Sequence, residues 1–285
     1  MTHIIDYPTD QKYQAEVISS QRLTPEGTDE IRELILEVLD DEFTCAINNS
    51  FGVLVNSAGM FGNTFHHRLY SVSDLPSKEN GKTRITMLVK RCKFLDEFSG
   101  EEYNGICSNY LCDRKEGEVI TITGPFDLAF NVPKDNSANM ILIGMGTGIA
   151  PFRAFIKHIY NTRTGWRGKV RLFYGAKTGL EMPYMNEENG DLKNYYDEET
   201  FKAFQAISPR PHWADPVALD AAMVEQAEEI LEMLSMNNTY VYVAGFEKVR
   251  DNLNRAFAEI LGSKEAWESR KAELVAGGKW AEVIY

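Results

Sequence analysis

Residues 140–160, MILIGMGTGIAPFRAFIKHIY, run from an apolar stretch through a glycine-rich turn into an amphipathic segment. Met140 to Ile143 reads as a buried strand and Pro151 to Asn161 as a helix. Gly144, Gly146 and Gly148 carry no Cβ, so the backbone between strand and helix can bend tightly and approach a ligand closely. Pro151 suits a first helical turn, where a missing N–H costs nothing. The free N–H groups and positive dipole end of such a helix favour an anion by about 0.3–1 kcal/mol per charge. The turn is therefore either a pyrophosphate cradle or a plain strand-to-helix turn. It is not the spacing G-x-G-x-x-G, because Ile149 and Ala150 follow Gly148. The next strand, Val170 to Tyr174, ends in Gly175-Ala176-Lys177 without the acidic residue that an ordinary NAD site uses on the ribose.

Downstream of this stretch strands alternate with helices. Lys169–Tyr174, Phe204–Ser208 and Tyr240–Ala244 read as strands, with a short helix near Glu181–Glu188 and longer ones over Val217–Ser235 and Val249–Leu261, which predicts a parallel sheet covered by helices. Ligands of such sheets sit at the carboxyl ends of the strands, where Gly144–Gly148, Gly175–Lys177, Ser208 and Gly245-Phe246 all fall. The stripe Leu219, Met223, Ala227, Ile230 and Leu234 is a core-facing helix face. Glu265–Glu273 is a last charged helix with a solvated face. Upstream the pattern differs: Tyr13–Leu23, Ile31–Val38, Phe51–Val55, His66–Val72, Arg84–Val89 and Glu118–Thr123 are short, β-branched and aromatic-rich, and separated by turn residues, which predicts a small closed antiparallel β-barrel. A polar tract, Asn131 to Asn139, links the halves. The expected organisation is thus a β-barrel domain over 1–133 and an α/β domain with a parallel sheet over 134–285.

The chain of 285 residues is 44% hydrophobic and 25% charged, a globular balance, and no apolar run is long enough to span a membrane. The amino end lacks the layout of a signal peptide, so a cytoplasmic location is expected. A formal net charge of −12 argues against binding nucleic acid or anionic lipid non-specifically. Cys45, Cys92, Cys107 and Cys112 form no C-x-x-C pair and give no zinc or iron–sulfur ligand set, so they are expected as reduced thiols and no metal is expected.

Two further stretches carry a family signature: Arg68-Leu69-Tyr70-Ser71 in the barrel half, and Gly105-Ile106-Cys107-Ser108-Asn109-Tyr110-Leu111-Cys112-Asp113 before Gly124-Pro125. Together with Gly146-Thr147-Gly148-Ile149-Ala150-Pro151-Phe152 and Asn238–Gly245, in this order and spacing, the chain resembles the plant-type ferredoxin–NADP reductase family over nearly its whole length. The resemblance implies a flavoprotein oxidoreductase that moves electrons through FAD between NADP(H), or NAD(H), and a one-electron carrier such as ferredoxin or flavodoxin. Two alternatives keep the flavin but weaken nicotinamide use: an electron-transfer module, or the reductase component of a larger complex such as an oxygenase.

The implied roles follow residue by residue. Arg68 holds the flavin phosphate, for which a guanidinium has matching geometry; Leu69 and Tyr70 pack against the ring; Ser71 lies near its reactive edge. Val89, Lys90 and Phe94 resemble the segment holding the adenine of FAD, with Phe94 either its stacking platform or a core aromatic. Ile106, Cys107 and Ser108 flank the flavin phosphates, Cys107 as a spacer, because no base is evident beside it. Gly146, Thr147, Gly148, Ala176, Lys177, Ser208, Arg210 and Gly245 line the nicotinamide nucleotide. Tyr285 resembles the terminal aromatic that covers the flavin and moves before hydride transfer. Arg84, Lys90, Arg91 and Lys93, with His66 and His67, are either a basic rim for an acidic carrier or a scatter of solvated charge. Three departures bear on hydride transfer: Ala244 stands where the family has a cysteine, Val283 where it has a carboxylate, with Glu282 facing elsewhere, and Met145 where it has a threonine. In the family's 2′-phosphate pocket Ser208 matches, Pro209 follows, and Arg210 is displaced by one; 211–215 supplies neither the lysine nor the tyrosine. Arg210 and His212 either reach the phosphate or are loop residues.

Overall fold

The computed structural model describes residues 4–56, 64–96, 98–163, 165–187, 189–197, 199–211, 216–245 and 249–284. It contains two compact units, Met1–Leu128 and Ala129–Tyr285.

The first unit carries β1 (Lys12–Arg22), β2 (Ile31–Val38), β3 (Asn49–Asn56), β4 (Phe65–Ser71), β5 (Ser77–Glu79), β6 (Lys82–Lys90), a hairpin of β7 (Lys93–Leu95) and β8 (Glu102–Asn104), the helix α1 (Ile106–Cys112) and β9 (Val119–Asp127). Seven strands pair in the order β4-β3-β9-β1-β2-β6-β5, with antiparallel neighbours throughout. A bridge between Val72 and Met87 joins the chain just past β4 to β6, so the sheet closes on itself as the run of short strands predicts. In β2 the residues Leu34, Leu36 and Val38 point inward and their neighbours outward, the period of two that a barrel wall requires. They meet Val17, Phe51, Val53, Ile85 and Ile122 in one core, to which α1 adds Cys107 and Leu111.

The second unit is a parallel sheet of β10 (Asn139–Met145), β11 (Val170–Ala176), β12 (Phe201–Ile207), β13 (Thr239–Gly245) and β14 (Trp280–Ile284) in the order β12-β11-β10-β13-β14. Its helices are α2 (Ile149–Lys157), α3 (Leu219–Val224), α4 (Ala227–Ser235), α5 (Val249–Leu261) and α6 (Lys264–Ala276). β10 and β11 are buried almost throughout, which is why β10 reads as an apolar run over Met140–Ile143, while β11 is apolar apart from Arg171. From β10 the chain moves to β11 on one side and returns to β13 on the other, so the carboxyl end of β10 is the switch point where such sheets bind ligands.

Several segments differ from the sequence reading. Where a short helix is expected near Glu181–Glu188, the chain has only a 3-10 turn at Gly179–Glu181, followed by turns. The helix expected over 217–235 is two helices: at Gln226 the backbone leaves helical angles (φ −109°, ψ 24°) and its N–H bonds back three residues to Met223. The stripe survives the break, with Leu219, Met223, Ile230 and Leu234 buried in one core. The closing residues Trp280–Ile284, to which the sequence reading gives no element, form the edge strand β14. Trp280 anchors it beside Phe257 and Trp267, with ring centroids 6.0 and 5.4 Å away, and the Lys271 ammonium lies 4.5 Å from its ring.

Arg171 of β11 is buried and donates to Glu229 Oε1 (2.6 Å) and to the Thr200 carbonyl (2.8 Å). The hydrogen bond from Arg171 holds the Glu229 carboxyl below its ordinary 4.5. A depressed folded pKa gives stability that is complete above the unfolded value and is lost as pH falls through the folded one. The expected result is a thermal midpoint whose acid limb, below about pH 4.5, is shallower in Glu229→Gln than in the parent chain. Identical acid limbs in the two proteins would show that this pair does not set the limb.

Candidate functional site

The register of β3 on β4 pairs Phe51 with Tyr70 and Val53 with Arg68, so Arg68 and Tyr70 share the face of the barrel's core residues. Gly52 and Ser50 pair with Leu69 and Ser71 on the opposite face. Arg68 is exposed; its guanidinium donates to the His67 carbonyl (2.9 Å), and no carboxylate among the described residues pairs with it. Tyr70 packs half-buried against the barrel core, and burial pushes its hydroxyl well above its ordinary pKa. Gly52 is required by a neighbour: a Cβ there would lie 1.9 Å from His67 Nε2, whose ring crosses β3 to reach Thr123 Oγ1 at 3.0 Å. Burial first, then the Arg68 charge, lower the pKa of His66 and His67 from 6.5.

The hairpin overturns the core reading of Phe94. It is 55% exposed, outside the core, and stacks on Tyr103 of β8 with centroids 5.5 Å apart and planes at 21°. Val89 lies in the barrel core and Lys90 pairs with Asp29 at 2.6 Å. The Ser108 hydroxyl is occupied locally: it accepts the Cys92 N–H (3.1 Å) and donates to the Gly105 carbonyl (3.3 Å). Asn109 adds bonds to the Cys92 and Gly105 carbonyls, so the start of α1 is tied to the base of the hairpin. Ile106 packs on the barrel core beside Cys107, a buried thiol that desolvation pushes up to about 12. It is too basic to be a nucleophile. Arg84 pairs with Glu37 and Glu79, Arg91 with Glu30 and Asp113, and Lys93 with Glu102. With Lys90 also paired, these four cations form no free basic rim. A cleft of about 780 Å³ beside α1 is likewise lined by arginines whose donors are taken, Arg32 and Arg91 by Glu30 and Arg22 by backbone carbonyls.

In the second unit the predicted residues converge on one sheet edge. Met145 is level with Gly175, Gly144 with Ala244, and Ala176 with Ile207, so the turn after β10 stands among the ends of β11, β12 and β13. Gly146 has φ +55°, and its carbonyl is fixed by the Tyr174 hydroxyl at 3.0 Å. Gly148 allows the turn to lie against β13: a Cβ there would be 2.3 Å from the Ala244 carbonyl oxygen. Thr147 is half-buried between them. Gly148 is also the N-cap of α2, whose amino end has no side-chain cap. Gly245, at φ +155°, faces the Met145 side chain. Lys177 is exposed, and its carbonyl accepts the N–H of buried Ser208 (3.3 Å). Arg210 is exposed past β12, where a cleft of about 580 Å³ opens toward α3 and α5. Ala244 and Val283 are direct register partners on β13 and β14, while Glu282 turns away as expected, to Arg250 (2.7 Å) and Lys271 (3.6 Å). His212 and Tyr285, along with Phe246, lie outside the described residues.

Sequence reasoning did not place Tyr103, the stacking partner of Phe94, because it sits in a strand of three residues, too short to signal.

Residues 142–252 match the oxidoreductase NAD-binding domain family. The chloroplastic leaf isozyme 2 of ferredoxin–NADP reductase from Oryza sativa subsp. indica is 31% identical over 254 residues, 86% of this chain and 68% of its own length. The ferredoxin–NADP reductase of Thermosynechococcus vestitus is 28% identical over 280 residues, 95% and 72% of the two chains. Against the rice leaf isozyme 1, at 31% identity, the match spans 66% of the relative's length. The ferredoxin–NADP+ reductase of Plasmodium falciparum, solved with 2′P-AMP, shares the fold with a TM-score of 0.72 over 98% of each chain, at 18% identity. Closed barrel, parallel sheet, glycine turn and these relatives agree, and the chain belongs to the ferredoxin–NADP reductase family.

Proposed function

We propose that the protein is a FAD-dependent oxidoreductase that carries electrons between a nicotinamide dinucleotide, NADP(H) in its named relatives, and a one-electron carrier, ferredoxin or a flavodoxin. Arg68 carries this reading: an exposed guanidinium without a carboxylate partner among the described residues, sharing a strand face with an aromatic hydroxyl, suits a flavin phosphate and ring. The exposed Phe94–Tyr103 stack offers an apolar platform for an adenine.

When bound, the flavin supplies the redox chemistry, accepting a hydride and releasing electrons singly. The protein's part is position and electrostatics. Arg68 neutralises the phosphate and Tyr70, on the same face of β4, flanks the ring; Leu69 and Ser71 lie on the opposite face and contribute through the strand they belong to, and Val89, Lys90, Ile106, Cys107 and Ser108 support the wall along which the cofactor lies. The turn Gly146–Gly148, a 3-10 turn that runs directly into α2, admits the pyrophosphate of the nucleotide to the amino end of that helical run, while Ala176, Lys177, Ser208 and Gly245 bound it at the neighbouring strand ends. No residue has to act as nucleophile. Tyr285 is assigned the gating role.

One observation supports the second reading, a flavin module or reductase component with weak nicotinamide use. Ala244 and Val283, both apolar, lie side by side in register, and Glu282, one residue before Val283, is held by Arg250 and Lys271. An anaerobic titration separates the two. The expected result is a yellow protein whose flavin bleaches with a nicotinamide nucleotide. A flavin that bleaches only with dithionite would favour the module, and a chain that retains no flavin would overturn both.

A further inference from the structure

We propose that the cleft of about 780 Å³ beside α1, at one end of the barrel, binds a small oxyanion of several charges through Arg22, Arg32, Arg114 and Lys115. Di- and triphosphates and tricarboxylates share that chemistry. The cleft contains none of the residues assigned to flavin or nucleotide, and its volume falls in the range of small-molecule pockets, about 300–1,000 Å³. Arg32 continues the inward face of β2 two residues before Leu34, and in register it stands between Arg22 of β1 and Val89 of β6. Arg91 follows Val89 by two residues, and its N–H bonds to the Glu30 carbonyl at 2.9 Å. Three neighbouring stretches of the barrel wall thus bring a guanidinium to the same end, and the segment after α1 adds Arg114 and Lys115.

In a chain of formal net charge −12, the lining of this one cleft carries five cations against three carboxylates, Glu30, Asp113 and Glu116. Arg22 and Arg32 face each other directly across the ladder, where like charges are destabilising. Only one of them is neutralised. Arg32 shares Glu30 with Arg91, at 2.6 and 2.7 Å, whereas Arg22 donates to the uncharged carbonyls of Thr24, Pro25 and Thr28. These bonds hold the guanidiniums still but use only part of the five N–H groups that each carries. Nη1 of Arg22 and Nη2 of Arg32 have no acceptor among the described residues. The same holds for Nη2 of Arg114, whose Nε and Nη1 go to the Tyr110 carbonyl (3.0 Å) and Glu118 (3.2 Å). Lys115 is tied to Glu118 through its backbone N–H at 2.6 Å, and no carboxylate among the described residues pairs with its ammonium. Guanidiniums fixed in this way match the oxygens of a phosphate or carboxylate, and an anion between Arg22 and Arg32 turns their repulsion into shared attraction. The side chains of Arg32, Arg91 and Arg114 are only 25%, 23% and 24% exposed, so the cations are recessed within reach of a small ligand rather than displayed to a flat protein surface.

Calorimetry on the FAD-loaded full chain, in a buffer free of phosphate and carboxylate, takes inorganic pyrophosphate and citrate as separate probes. The expected result is saturable binding of at least one probe with the flavin spectrum unchanged. A response to pyrophosphate alone identifies a phosphate ligand, to citrate alone a polycarboxylate, and to both a site read by charge. Lys115→Glu, a change at an exposed position, should weaken binding at least about tenfold. Arg22→Gln, its folding checked by thermal midpoint, should do the same. In Gly148→Val, which disturbs the turn after β10, the affinity should stay within about twofold of the parent. No binding of either probe would overturn the proposal, as would binding that Lys115→Glu leaves intact. Binding lost in Gly148→Val would place the anion at the nucleotide turn instead and overturn it equally.

Discussion

Arg68→Glu is expected to weaken flavin binding by at least about a hundredfold, so that the variant purifies nearly colourless. Paired hydrogen bonds from a guanidinium to a phosphate contribute about 1.5–3 kcal/mol each, and the substitution replaces them with a repulsion. A loss of about 2.7 kcal/mol already corresponds to a hundredfold. The side chain is exposed and its one bond is to the neighbouring His67 carbonyl, so the barrel keeps its core. The flavin-free variant should therefore match flavin-stripped parent protein in circular dichroism and thermal midpoint. Arg68→Lys keeps the charge without the fork and should fall between the two. Stoichiometric flavin in Arg68→Glu would remove Arg68 from the site.

Gly148→Val should abolish reduction by nucleotide while leaving the flavin bound. The Cβ of any side chain at 148 would meet the Ala244 carbonyl oxygen at 2.3 Å and its carbon at 2.7 Å, atoms held in the β13 ladder that cannot swing aside. The turn must then move off β13, at a cost of about 1–3 kcal/mol in stability, and the pyrophosphate cradle is lost. The expected outcome is a rate of flavin reduction by nucleotide lowered at least about a hundredfold, near 2.7 kcal/mol, with dithionite reduction and flavin content as in the parent. Reduction at the parental rate would show that the nucleotide does not use this turn.

Much of the framework was legible because single-residue periodicities carry it. The six strands that close the barrel were placed by their β-branched and aromatic content between turn residues, and in strands such as β2 one side faces the core. The parallel sheet announced itself through the continuous apolar run at Met140–Ile143 and the strand–helix alternation that follows it, its central strands being buried on both faces. Backbone freedom was equally readable: Gly146 has positive φ, and Gly148 makes the close approach that its lack of a Cβ suggested. What escaped depends on partners far away in sequence. β14 has a weak strand pattern and exists because Trp280 docks among Phe257 and Trp267. Phe94 could not be assigned until its stack with Tyr103 placed both rings outside the core. The residues suggested as a basic rim carry the right charge, but cross-strand carboxylates such as Glu37 and Glu30 neutralise them, and no local pattern shows that pairing.

The most direct measurement follows the electrons through to a carrier. The purified, FAD-loaded chain is mixed anaerobically with a limiting amount of NADH or NADPH and an excess of oxidised ferredoxin, and the reduced ferredoxin formed per nucleotide is counted by absorbance. The expected result is two ferredoxins reduced per nucleotide oxidised, because a hydride carries two electrons and the carrier takes one at a time. Flavin that is reduced by nucleotide yet passes nothing to ferredoxin or flavodoxin would contradict the proposed role.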